Sequence, residues 1–230
     1  MNTPQLIAAI QQFGRDRDTA RKWTDPNLTA QAIQARRAQL LDTAVHKLRQ
    51  AADPETGISA AGQAHTAALA ALRSTDAAKA VTRQHHWQRA QMLLDAGRSL
   101  DVLVANESDP EILAAIAEWG PTYLRTQQAR PDGVHPTQID EPDTSALTNS
   151  IIDRLADGDP VASNRVFRDA VAARTQNERS QMWASVIDGT AAGSHNPTAL
   201  TALHQHDTVA YDAIADVVYD RQTATSQTPS

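Results

Sequence analysis

Alanine occupies 42 of the 230 positions, and no other feature constrains so strongly what this chain can fold into. Alanine is the strongest helix former, and the abundant Gln and Arg rank close behind it. Glycine (9) and proline (11) are few, and they cluster between segments of helical periodicity. The sequence therefore predicts an all-α fold, an Ala-rich helical bundle with long helices. A methyl side chain buries little area, so at about 25 cal/mol per Å² an alanine interface is shallow. Phe13 and Phe167 are the only phenylalanines. Each helix must draw its packing energy from sparse Leu, Ile, Val and Trp, or from an interface shared with another chain.

The periodic segments can be placed in order. Thr3 can cap a first helix with Pro4 at its opening position, and Leu6, Ile10 and Phe13 then share a face. Pro26 ends that segment, because proline has no N–H with which to continue a helix. A second helix over 30–52 carries Ile33, Leu40, Leu41, Ala44, Val45 and Leu48 on one stripe. An Ala-dense helix follows over 59–73. From Thr75 or Asp76 to Asn106 the pattern predicts the longest helix, with Trp87, Leu94, Leu100 and Val104 in line and Val81, Leu93 and Leu103 beside them. At 1.5 Å per residue that rod reaches about 45 Å, which is long for a compact domain without a hairpin partner. Asp109-Pro110-Glu111 opens another helix, and Gly120-Pro121 is expected to interrupt it. Further helices are expected near 146–157, 160–188, 197–206 and 207–220.

Residues 130–145 hold three prolines, one glycine and four acidic residues, the composition of a linker. The expected organisation is an N-terminal helical domain over 1–129, the linker 130–145, a C-terminal helical domain over 146–220 and a disordered tail over 221–230.

The absence of cysteine excludes a disulfide framework, a Cys-ligated zinc and a thiol nucleophile. The opening residues have neither the basic nor the apolar region of a secretory signal, and no apolar run approaches the roughly 20 residues that span a bilayer. A cytoplasmic setting, or a particle assembled there, with no membrane contact, is expected. Residues 1–105 carry 13 Lys+Arg and 9 Asp+Glu, a net of +4; residues 106–230 carry 8 and 18, a net of −10. Phosphate binding needs clustered cations, so nucleic acid is a poor match for the acidic half.

Chemistry-bearing patterns are sparse. His85 and His86 are adjacent on a helix, so their side chains diverge by about 100° and cannot share one metal. His204-Gln205-His206-Asp207 holds a His-Asp pair of the kind found in HD-type phosphohydrolases, but the further ligands those enzymes need would have to come from His195 and Asp212 or Asp216, whose spacing matches no pattern. Asp212, Asp216 and Asp220 repeat every four residues and predict an acidic stripe on the last helix, a solvated face or a docking surface. No phosphate-binding glycine loop and no nucleophile elbow occurs. No cofactor is expected. A helix-turn-helix around Gly120-Pro121 would offer only Arg125, Gln127 and Gln128 to base edges.

The run Arg21-Lys22-Trp23-Thr24-Asp25-Pro26-Asn27-Leu28-Thr29, continuing into Ile33, Arg36-Arg37 and Leu40-Leu41, resembles the openings of small helical virion-assembly proteins of actinobacterial phages. The resemblance covers about 25 residues and carries no catalytic group. It implies a minor head, connector or scaffold-like component, although the acidic C-terminal half departs from the basic end by which phage scaffolds grip a shell. The sequence thus predicts a non-enzymatic helical interaction protein that binds itself or another protein of an assembly. Its expected contact residues are Asp212, Asp216 and Asp220 on the acidic stripe and Trp87 and Leu94 on the long helix. The competing readings are a metal-dependent phosphohydrolase centred on His204, His206 and Asp207, and a DNA-binding regulator.

Overall fold

The computed structural model describes residues 2–51, 54–73, 77–129, 143–158 and 164–220. These residues form ten helices and no strand: α1 (Thr3–Lys22), α2 (Ala30–Ala51), α3 (Pro54–Leu72), α4 (Ala77–Asp95), α5 (Leu100–Asn106), α6 (Pro110–Ala129), α7 (Ser145–Asp157), α8 (Arg165–Ala191), α9 (Pro197–His206) and α10 (Thr208–Val218). The fold is all-α, as the alanine content predicts.

The helix ends follow local chemistry. Asn2 stands at the cap of α1, one residue before the expected Thr3, with Pro4 in the first turn and Arg21 and Lys22 beside the last carbonyls. Thr29 caps α2 by accepting the Ala32 N–H at 3.2 Å. Asn196 accepts the Ala199 N–H at 3.2 Å and Asp207 accepts the Ala210 N–H at 2.9 Å, so side chains cap α9 and α10 as well. Each cap satisfies one of the N–H groups that a helix start leaves without an internal partner.

Two expected boundaries are corrected. The single rod over 76–106 is two helices, α4 and α5. Gly97 takes φ +93°, a conformation that glycine adopts without a Cβ clash. The Arg98 N–H then reaches the Leu93 carbonyl at 3.1 Å and the Gly97 N–H reaches Leu94 at 2.9 Å, the paired bonds of a Schellman stop. Ser99 restarts the chain by accepting the Val102 N–H at 3.3 Å. Conversely, α6 runs unbroken through Gly120-Pro121. A Cβ on Gly120 would lie 3.1 Å from Leu147 Cδ2, so this residue admits α7 to the side of α6. Packing there outweighs the one hydrogen bond that Pro121 cannot make.

The chain forms two compact units, residues 1–58 with 176–230 and residues 59–175. Residues 130–142 of the expected linker and the expected tail over 221–230 lie outside the described residues. The helices on either side of that segment, α6 and α7, pack together in the second unit.

In the first unit α1 packs on α2 and α10, and α10 packs on α9. Its core gathers Leu6, Ile10 and Phe13 with Ala44 and Leu48, then Trp183, Val186 and Ile187, then Leu200, Leu203 and Ile214. Only Ala44 and Leu48 of the α2 stripe are buried, while Leu41 is 39% exposed. At Gly14, α1 comes so close to α10 that a Cβ would sit 2.9 Å from Val217.

The second unit is built on α6, which packs against α4, α5 and α7. Leu94, Leu100, Leu103, Val104, Leu113, Ile116, Leu147, Ile151, Ile152, Leu155 and Phe167 form its core, with Ala68 and Leu72 from α3. Arg83 is buried there, its Nε donating to Glu111 Oε2 at 3.0 Å and its Nη1 to the carbonyl of Leu72. That carbonyl ends α3 and has no partner within its own helix, so the guanidinium completes the helix end.

Candidate functional site

The α4–α6 pair places the site. Arg83 meets Glu111, and Trp87, one turn further on, meets Trp119 and Tyr123, so the two helices run parallel. Along α4, Trp87, Gln91 and Asp95 succeed one another at intervals of four and fall on one side. Along α6, Trp119, Tyr123 and Gln127 are spaced by four, with Thr122 and Thr126 beside them on the same side. The two rows line a notch of about 180 Å³ in the second unit.

Its lining combines aromatic rings with amide, hydroxyl and carboxylate groups. The Trp87 and Trp119 rings lie 6.4 Å apart at 28°, an offset stack. Tyr123 meets Trp87 edge-on, 6.0 Å away at 72°. These are the two arrangements that ring quadrupoles favour. Trp87 and Tyr123 pack against the core, Trp119 stacks on Trp87, and all three residues are half-buried. Around them stand the amides of Gln91 and Gln127, two threonines and the Asp95 carboxylate. Asp95 is exposed and, among the described residues, has no ion-pair partner. No aliphatic side chain and no cation lines the notch. Such a surface can hold a flat or positively charged group against a ring and leave its polar hydrogens facing oxygen.

The residues expected from sequence scatter. Trp87 is in the notch. Leu94 is buried at 5% exposure in the core of its own unit and offers no surface. Asp212 and Asp216 are exposed on α10, near Val209, which is 80% exposed. Asp220 leaves the expected stripe, because α10 ends at Val218 and Asp220 sits beyond it at φ +51°. Its carboxylate takes both Arg21 guanidinium nitrogens at 2.8 Å and Arg17 Nη2 at 2.8 Å, so it binds the end of α10 to α1. The bonds from Arg21 hold the Asp220 carboxyl below its ordinary range, and the same contact raises the guanidinium.

His204 and His206 are exposed at the end of α9, and His204 lies 4.8 Å from the Tyr211 ring. Asp207 is occupied as the cap of α10. Among the described residues no three His, Asp or Glu side chains converge on a point where a metal could sit. The helix pair expected around Gly120-Pro121 is one helix, so Arg125, Gln127 and Gln128 stand on α6 without a turn before them. No described helix is long and apolar enough to cross a membrane.

Trp119, Tyr123, Gln91 and Asp95 were not among the expected contact residues. The spacing that unites each row is present in the sequence, but nothing local says that the two rows face the same notch. No family model, no curated protein and no solved structure matches this chain.

Proposed function

We propose that this protein is a non-enzymatic helical interaction protein that assembles with copies of itself. The observation that supports this reading is the Trp87–Trp119–Tyr123 cluster, left half-buried on a chain with only nine aromatic Phe, Trp and Tyr residues. Trp and Tyr are the residues most often responsible for binding energy at protein interfaces, because they bury 150–250 Å² each at little entropic cost. A fold so rich in alanine gains most by completing its core against another chain. The resemblance of residues 21–41 to phage virion-assembly proteins suggests a minor head, connector or scaffold-like role as the setting of that assembly.

Light scattering coupled to size exclusion, over a tenfold range of concentration, tests the proposal. The wild type should exceed its monomer mass of 24.9 kDa, and Trp119→Ala should shift towards that mass with its helical circular dichroism intact. A wild-type monomer at every concentration would refute self-assembly.

A further inference from the structure

We infer that the notch between α4 and α6 is a receptor for an arginine side chain carried by a second copy of the chain. The inference rests on the self-assembly reading and names the group that enters. Three features of the site select it. The lining combines π-surface with amides, hydroxyls and one carboxylate and includes no Leu, Ile, Val or Met side chain, so it favours a polar cation over an apolar side chain. Asp95 is its one ionisable carboxylate and, among the described residues, has no ion-pair partner. The Trp87 and Trp119 rings are 28° from parallel, with Tyr123 edge-on, so the aromatic wall is an open plane and not a closed cage.

A planar guanidinium suits an open plane. It stacks on an indole face while its forked N–H groups reach a carboxylate, whereas the compact, strongly hydrated ammonium of lysine is better matched by an enclosing cage. A volume of about 180 Å³ accommodates one such side chain. The chain is well supplied with the ligand: of its 21 Lys+Arg, only Lys22, Lys47 and Lys79 are lysine, which leaves 18 arginines. It already uses this contact internally, where Arg17 lies 5.6 Å from the centre of the Phe13 ring.

The test is nuclear magnetic resonance of the four indole N–H groups in the full-length chain, titrated with the capped tripeptide Gly-Arg-Gly. The same peptide with citrulline, which keeps the shape and loses the charge, is the control. Trp87 and Trp119 should shift saturably with the arginine peptide and at least threefold less with citrulline, while Trp23 and Trp183 stay still. Asp95→Asn should weaken the arginine peptide about threefold, as expected for an exposed charge pair. This variant alters a solvent-facing residue, so its fold is retained and its circular dichroism checks that. In light scattering, excess arginine peptide should also lower the mass of the assembly. Equal shifts with both peptides, or no shift at Trp119, would overturn the receptor even if the chain is oligomeric. Selective shifts in a chain that is monomeric throughout would overturn the second copy as donor and, with it, the self-assembly reading.

Discussion

Asp220 illustrates how one residue can change its meaning between sequence and fold. Spacing alone puts it on an acidic stripe with Asp212 and Asp216. In the structure the helix stops at Val218, the backbone turns left-handed at Asp220, and the carboxylate meets Arg17 and Arg21. Aspartate tolerates that backbone better than most side chains, so little strain opposes the contact. The folded-state pKa of Asp220 is depressed, so its stabilisation is present above the unfolded-state pKa and is lost as pH falls through the folded value. Both partners retain solvent contact, which limits the pair to about 0.5–1 kcal/mol. Asp220→Asn, which keeps the turn and removes the charge, should lower stability by about that amount near neutral pH. Urea titrations repeated in strong acid should find wild type and variant equal, and a difference that persists there would assign the loss to the turn instead.

Among the elements, the α1–α10 contact depends on a missing side chain. Gly14 faces Val217 across a distance that leaves no room for a Cβ, and Val217 is branched at the colliding atoms. Overfilling a packed site costs about 1–3 kcal/mol. Gly14→Val should therefore destabilise the protein by about 2 kcal/mol, read as a lower urea midpoint with an unchanged slope. Adding Val217→Ala should recover at least half of that loss. If it recovers nothing, the harm lies within α1 and not in its packing. The same logic explains α6: Gly120 clears space for Leu147, and this close packing carries the helix through Pro121, where local rules alone place a break.

For the whole molecule, both cores include buried alanines, Ala44, Ala199 and Ala210 in one and Ala68, Ala90, Ala114 and Ala170 in the other, and each methyl buries little apolar area. Self-assembly, as proposed, would add to stability by mass action, because a partner that binds only the folded state stabilises it. The thermal midpoint should rise by several degrees over a hundredfold increase in protein concentration, and a midpoint independent of concentration would oppose the self-assembly proposal. The all-α class, most helical segments and the cap of α2 at Thr29 are legible in the sequence, because a helix closes its bonds between residues four apart and its signals are local. Even the break at Gly97-Arg98-Ser99 was written in the sequence, although periodicity on both sides obscured it. Which helices meet is a matter of tertiary packing. That packing joins residues 1–58 to 176–230, buries Leu94 and draws Asp220 to α1. It also sets Trp87 against Trp119 and Tyr123. Those pairings depend on the fit of faces far apart in the chain, and an alanine-rich face resembles its neighbours too closely for the pattern to name its partner.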